Sequence, residues 1–221
     1  MTLRPAREAV LVWASVILAL AATQLLGQVV PFVEQVVGAL AVALFLYVPS
    51  RMLERRGEDA RDAGLRFDRL PADLAWSLGT SAVVLPLFGL AFACFSHLPD
   101  AARTWLTPYL GVPRWHALPL TADLASAVAG NAAVAFSEEF FYRGYITHRL
   151  EEQMSPVKAA LLAALCFALG HLLRPAPFRL AVFFPALWFA FLRNRTGTIV
   201  GASIAHWLAN VALLVLERSA Y

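Results

Sequence analysis

The sequence is dominated by long apolar runs that are separated by prolines and by short charged stretches. The run from Ala9 to Val30 contains no charged residue, and a helix needs roughly 20 apolar residues to cross a bilayer. Across the chain 60% of the residues are hydrophobic and only 15% are charged. Soluble domains carry about 25% charged residues, so we expect an integral membrane protein.

The apolar runs predict an all-α fold, a polytopic transmembrane helix bundle of about seven spans (six to eight). Prolines mark several of the breaks, and Pro49 is expected to end the second span. The predicted spans are residues 9–30, 32–48, 73–97, 120–153, 157–173, 178–192 and 198–216. Residues 1–221 are expected to form a single integral membrane domain, with N-terminal spans at 9–98.

Basic residues concentrate between Ser50 and Leu70, a stretch that we interpret as a solvated loop. Together with Arg4 and Arg7 it predicts a cytoplasmic N-terminus, because basic loops stay on the cytoplasmic side. The net charge of +3 therefore reflects these loops, and no nucleic acid partner is indicated. All the basic residues except Lys158 are arginine, a bias that favours a bacterial protein of the inner membrane.

The segment from Pro99 to Pro119 separates two spans and contains Trp105, Tyr109 and Trp115. Aromatic side chains of this kind anchor proteins at the membrane interface. We therefore predict an interfacial lid or a short surface helix. His97 and His116, at the edges of this segment, are interpreted as surface histidines.

Two adjacent carboxylates, Glu138 and Glu139, follow the uncharged run that begins at Leu124. A charged side chain deep in a bilayer costs roughly 2.5–3.5 kcal/mol on insertion scales. Glu139 and Arg143 are four residues apart and share a helix face, so they can pair. Glu138 points elsewhere, since adjacent residues are about 100° apart around a helix. We expect one acid to be held by the arginine and the other to be free for chemistry.

Three further polar residues lie on later spans, at heights that could match the two acids. His171 is about as far after the turn near Ser155 as Glu138 is before it. His206 is about nine residues, or roughly 13 Å, beyond the basic turn that precedes the last span. Asn210 lies one turn after His206, and Phe167 lies one turn before His171.

Such a set suits the activation of water for peptide-bond hydrolysis without a covalent intermediate. A glutamate in an apolar pocket can act as a general base, and a histidine beside it can hold the same water. A second histidine and an asparagine amide are suitable donors to a tetrahedral oxyanion.

Other polar residues on the spans receive simpler interpretations. Four lie near span ends and are expected to be solvated: Glu34, Asp73, Asp123 and His148. Asn131, two turns before Glu138, is a candidate supporting residue.

Three motifs occur in order on successive spans: Glu138-Glu139 followed by Arg143, Phe167 followed by His171, and His206 followed by Asn210. In this order they resemble the CAAX-protease and bacteriocin-processing (CPBP, or Abi) family of intramembrane glutamic endopeptidases. The resemblance covers roughly residues 120–216, and it extends to bacterial myxosortase-like members.

The resemblance implies a role for each of these residues. Glu138 and His171 would activate water, while His206 and Asn210 would form the oxyanion hole. Glu139 and Arg143 would support the site, and Phe167 would shape its wall. The substrate implied is a membrane-anchored protein or peptide that is cut near its membrane-associated, C-terminal part.

No cofactor is expected, because the resemblance implies a metal-independent reaction and no His-Glu-x-x-His spacing occurs. Two other hypotheses stay open at this point. One is a zinc-dependent membrane protease that uses Glu138, His171 and His206. The other is a non-enzymatic immunity, scaffold or transport protein, in which these residues relay protons.

Overall fold

The computed structural model of the chain describes residues 4–95, 97–107, 113–118, 121–173 and 176–221. Every regular element within these residues is helical, which confirms the all-α prediction. The α-helices, in chain order, are α1 (Pro5–Gly27), α2 (Pro31–Glu54), α3 (Leu70–Phe95), α4 (Asp100–Leu106), α5 (Ala122–Glu139), α6 (Thr147–Glu151), α7 (Pro156–Gly170), α8 (Phe183–Thr196) and α9 (Val200–Ala220).

Three further helical segments, one π-helical and two 3-10, lie between these α-helices. A π-helical segment, Phe140–Ile146, joins α5 to α6 without a break. A 3-10 turn, His171–Leu173, follows α7, and another, Pro177–Val182, precedes α8. The predicted start of the fourth span at Leu120, like Pro175 and Tyr109, lies outside the described residues.

Five helices in the described part of the chain are long and apolar enough to cross a membrane: α1, α2, α3, α7 with its 3-10 turn, and α9. The other two predicted spans correspond to the continuous helix α5–α6 and to α8. The first of these carries the two glutamates, and α8 has only 14 residues. The prediction of a helical membrane bundle is confirmed. The α5–α6 helix and α8 do not have the combination of length and apolar composition that the other five helices have.

Helix α2 does not end at Pro49, as the sequence predicted, but continues to Glu54. Proline removes one backbone donor, yet membrane helices tolerate it where side chains satisfy freed backbone groups. Pro49 leaves the Phe45 carbonyl without its helical donor, and the neighbouring Leu46 carbonyl accepts a hydrogen bond from the Ser50 hydroxyl at 2.7 Å. Pro49 itself is buried within the helix.

The last two predicted spans also differ from the observed helices. The segment from Phe178 was predicted to be part of a span, but the chain is 3-10 helical up to Val182, as is common at helix starts. Helix α9 extends beyond residue 216, the predicted end of the last span, and ends at Ala220. Arg218 in that extra turn forms an ion pair with Asp123 at 2.7 Å.

The basic stretch after α2 is not solvated throughout, which corrects the sequence interpretation. Ala63 is fully buried, and the carbonyl of Gly64 accepts a hydrogen bond from the Ile199 amide at 2.9 Å. A Cβ on Gly144 would lie 3.2 Å from the Ala63 carbonyl oxygen. The loop therefore packs against both the π-helical segment and the start of α9, and the glycine allows that approach.

A second contact between the two halves of the chain involves Glu8 on α1. Its carboxylate accepts hydrogen bonds from Arg56 at 2.6 Å and from the Tyr145 hydroxyl at 2.8 Å. The hydrogen bond to Glu8 raises the pKa of Arg56. Since Tyr145 lies in the π-helical segment, this network fixes that segment to the N-terminal helices.

The prediction that polar residues near the span ends are solvated is correct for Glu34 and Asp123, which are exposed, but wrong for Asp73 and His148. Asp73 is fully buried and accepts a hydrogen bond from the Thr198 hydroxyl at 2.7 Å. Buried carboxylates persist only when they are hydrogen-bonded or paired. The His148 ring is partly buried and lies 3.2 Å from a Glu58 oxygen.

The segment between α3 and α5 contains the short helix α4, as one of the two alternatives predicted. Trp105 and Trp115 are 68% and 51% exposed, as expected for side chains that meet the membrane interface. His97 and His116 are also exposed. The amides of Arg114 and His116 donate to carbonyls of Ala220 and Ser219, so this segment is fixed to the end of α9.

The burial of Asp73 leads to a stability prediction. Replacement of Asp73 by alanine should lower the free energy of unfolding by about 1–3 kcal/mol, because the Thr198 hydroxyl would lose its buried acceptor. Denaturant unfolding of the purified protein in detergent micelles measures this loss. The exposed Glu34→Ala serves as the matched control and should have almost no effect; equal losses in the two variants would contradict the assignment.

Candidate active site

The two adjacent glutamates at the end of α5 lie in different environments. The Glu139 side chain is fully buried, and one of its oxygens accepts hydrogen bonds from Arg143 at 2.9 Å and from His206 at 2.8 Å. The Glu138 side chain is 16% exposed, and its nearest charged neighbour is His206, at 3.5 Å from Nε2. Glu139 is therefore fixed by two partners, whereas Glu138 is the more accessible acid.

The π-helical segment begins directly after Glu139, and all seven of its residues are buried. A π-helix carries hydrogen bonds from residue i to i+5, and such segments are frequent at functional sites. The Thr147 hydroxyl adds a bond to the Tyr142 carbonyl at 2.8 Å. The sequence predicted one uninterrupted α-helix here, and no residue pattern indicated the wider turn.

Arg143 is buried and has partners on both sides of its guanidinium group. One terminal nitrogen donates to Glu139 and the other to the Ala186 carbonyl on α8, at 2.8 Å. The guanidinium also lies over the rings of Phe167 and Phe189, at 4.7 and 5.4 Å from their centroids. This side chain is held in place by its neighbours, so we assign it a supporting position.

The His206 imidazole, only 4% exposed, lies between the two carboxylates. Its Nδ1 donates to Glu139, because an ionised carboxylate can only accept. Its Nε2 therefore faces Glu138. The ring stacks on Phe189 at 4.6 Å with 16° between the planes, and it meets the edge of Phe167 at 5.8 Å. Two carboxylates and two aromatic rings thus determine the orientation of this imidazole.

His171 stands at the C-terminal end of α7 and is partly exposed. Its Nδ1 is 2.9 Å from the Phe167 carbonyl oxygen, which can only accept, so Nδ1 carries the proton. In the neutral ring Nε2 then has a free lone pair. Within the described residues no hydrogen bond joins His171 to Glu138. The ring of Phe167 lies 4.5 Å from that of His171.

Asn210 follows His206 by one turn of α9 and is partly buried. In the part of the chain that the structure describes, its amide has no hydrogen-bond partner. Asn131 donates to the carbonyl of Ala127 on its own helix at 2.8 Å. The structure therefore gives Asn131 a local contact rather than one with the acids.

Several residues at the site were missed by the sequence reasoning. Phe189 contacts both Arg143 and His206, but a phenylalanine in an apolar run carries no signal of such a position. Tyr142 is buried with its ring edge on Phe167 at 5.1 Å. A Cβ on Gly170 would lie 2.8 Å from the Tyr142 hydroxyl, so a glycine before His171 makes room for that tyrosine.

The hypothesis of a zinc site depends on three ligands that converge. Among the described residues, no group of three histidine, cysteine, aspartate or glutamate side chains is arranged to hold a metal ion. Zinc in a catalytic site takes three protein ligands and a water. Glu138 and His206 approach each other to 3.5 Å, while the ring of Phe167 lies 4.5 Å from that of His171 and 5.8 Å from that of His206.

Comparison with known proteins supports a family assignment for the second half of the chain. Residues 119–212 match the family model "Type II CAAX prenyl endopeptidase Rce1-like". The matched stretch is somewhat less than half of the chain, and it contains all three motifs. No curated protein and no solved structure matches the chain. The resemblance seen in the sequence is therefore confirmed, and the match indicates an endopeptidase of the membrane.

Because the two glutamates lie in different environments, removing each one should lower the free energy of unfolding by a different amount. Glu139→Ala should lower the free energy of unfolding by about 3–5 kcal/mol, because it leaves Arg143 buried without a counter-charge. Glu138→Ala should cost less than about 1 kcal/mol, since this acid is partly exposed and its contact with the His206 Nε2, at 3.5 Å, is longer than the hydrogen bonds of Glu139. Denaturant unfolding in detergent micelles compares the two directly. Equal losses would show that both acids are structural.

Proposed function

We propose that this chain, with its match to the type II CAAX prenyl endopeptidase family, is an intramembrane glutamic endopeptidase. The observation that supports this most is the asymmetry of the acid pair. One oxygen of the fully buried Glu139 accepts hydrogen bonds from Arg143 and His206, whereas Glu138 is partly exposed beside an oriented imidazole. A general base needs such access to water.

In the proposed reaction Glu138 takes a proton from a water molecule while the water oxygen attacks the substrate carbonyl. The Nε2 lone pair of His171 accepts the second hydrogen bond of that water, which helps to direct its oxygen. The C–O bond forms, the C–N bond then breaks, and Glu138 delivers the proton to the leaving nitrogen. No covalent intermediate is needed, and the water is consumed in the products.

Charge develops on the carbonyl oxygen in this step, and His206 and Asn210 are proposed to stabilise it. The Asn210 amide can donate. The His206 Nε2 can donate when the ring carries two protons, because Nδ1 already donates to Glu139. The two ionised glutamates, Arg143 and a protonated His206 together carry no net charge. Glu139 thus supports the donor without contact with the substrate.

The substrate is proposed to be a membrane-anchored protein or peptide that is cut near its membrane-associated, C-terminal part. The location proposed is a bacterial inner membrane, with the N-terminus in the cytoplasm. The basic residues support this orientation, since Arg51, Arg55, Arg61 and Arg69 are exposed at the end of the bundle that carries the loop after α2.

The proposal predicts that Glu138→Gln abolishes cleavage without lowering the amount of protein. Glutamine keeps the shape of the side chain but cannot take a proton from water. Protein termini in membranes are compared between cells that carry wild type and cells that carry the variant, at matched expression. Termini that depend on wild type should disappear.

Glu34→Gln is the matched control, because this glutamate is exposed on α2. It should give the wild-type termini. If Glu138→Gln produces the same termini as wild type, the glutamic mechanism is wrong. If neither wild type nor Glu138→Gln alters any protein terminus, and a cellular phenotype of wild type persists in Glu138→Gln, the non-enzymatic hypothesis is supported instead.

A second prediction separates the proposed mechanism from the zinc hypothesis. Purified protein treated with EDTA and dialysed should cleave a substrate, found by the comparison of termini, at an unchanged rate. A catalytic zinc ion would supply the activated water, so a loss of activity that added zinc restores would overturn the metal-free mechanism.

A further inference from the structure

We propose that a groove between α3 and α8 binds an anionic phospholipid of the surrounding bilayer. The groove has a volume of about 600 Å³ and lies on the side of the bundle away from α1 and α2. Its wall includes Trp76, Gly79, Thr80, Val83, Trp188 and Phe191. This site does not depend on the proposed protease activity.

Gly79 contributes no side chain to the groove. A Cβ at this position would meet no atom within 4 Å. At one end the groove is limited by Trp76 and Phe191, whose rings meet edge to face at 5.9 Å. From Trp76 to Val83 the lining extends over roughly 10 Å along the helix axis.

The polar atoms in the wall are already bonded to one another. Trp188 donates through its indole nitrogen to the Thr80 hydroxyl at 2.8 Å, and that hydroxyl lies 2.8 Å from the Trp76 carbonyl. What faces the groove is therefore almost entirely apolar. A hydrocarbon chain fits such a lining better than a peptide, whose backbone would lack hydrogen-bond partners there.

A positive charge stands at the Trp76 end of the groove. The Arg195 guanidinium lies over the Trp76 ring, 4.8 Å from its centroid, and is exposed. Within the described residues no carboxylate pairs with it, in contrast to Arg193, which pairs with Glu151. This end of α8 is on the same side of the bundle as the basic loop that precedes α3.

The charge and the apolar lining together match one kind of molecule. The phosphate of a lipid headgroup would lie at Arg195, and an acyl chain would extend along Gly79 toward Val83. Basic residues at a membrane surface attract anionic lipids. A net negative headgroup is therefore preferred to a zwitterionic one.

A lipid in this groove would lie close to the acid pair. Trp188, in the groove wall, adjoins Phe189 with 5.2 Å between ring centroids. Phe189 in turn stacks on His206. A lipid in the groove would thus pack on the ring next to the one that supports the imidazole.

The test uses the full chain, purified and stripped of lipid in mild detergent, with native mass spectrometry as the readout. Dioleoyl phosphatidylglycerol is compared with dioleoyl phosphatidylcholine, which has the same acyl chains. Wild type should bind one phosphatidylglycerol about fivefold more tightly than phosphatidylcholine, a ratio of the size that one basic residue near the surface confers.

Gly79→Leu fills the groove and should abolish the tight binding of phosphatidylglycerol. Gly89→Leu is the matched control on the same helix, because a Cβ there also meets no atom within 4 Å. Arg195→Gln should remove the preference for the anionic lipid, whereas Arg55→Gln, another exposed arginine at that end, should keep it. Thermal unfolding of each variant confirms that it is folded.

Two outcomes would overturn the proposal. Wild-type binding by the folded Gly79→Leu variant would show that lipid adheres only to the general surface. Equal binding of the two lipids by wild type would show that Arg195 selects no anionic headgroup. An unfolded Gly79→Leu variant would be replaced by Val83→Trp, which obstructs the same groove from an exposed position.

Discussion

A single carboxylate oxygen on Glu139 connects the residues around which the bundle is arranged. It accepts hydrogen bonds from Arg143 and from His206 in the absence of solvent. Ion pairs that are removed from water are stable only when their geometry and remaining hydrogen bonds are good. The second terminal nitrogen of Arg143 donates to the Ala186 carbonyl, so α5, α8 and α9 are held together at this point.

Support for that cluster comes from the N-terminal half of the chain, although the motifs all lie in the C-terminal half. Ala63 packs on Gly144, and Glu8 accepts a hydrogen bond from Tyr145. Both contacts fix the π-helical segment that follows the acids. The first helices therefore do more than anchor the protein, because they determine where the segment between Glu139 and α6 can lie.

The sequence was sufficient to predict the helical bundle and the pairing of Glu139 with Arg143, because hydropathy and four-residue spacing are local properties. It did not predict the π-helical segment or the position of Phe189, which depend on how α8 packs against that segment and against α9. The burial of Asp73 was missed for the same reason: its partner Thr198 is distant in sequence. The catalytic roles of Glu138 and His171 stay predictions, since their spacing and contacts are compatible with water activation but include no substrate.

The acid pair and Arg143 lie on the α5–α6 helix, which is less suited to contact lipid than α1, α2 or α3. The α5–α6 helix and α8 are not among the helices that length and composition identify as spans. Their polar groups are shielded: all residues of the π-helical segment are buried, whereas α3 is mostly exposed along its apolar length. The exposed apolar length of α3 is suited to contact the bilayer, whereas two carboxylates, a guanidinium and an imidazole lie close together inside the bundle.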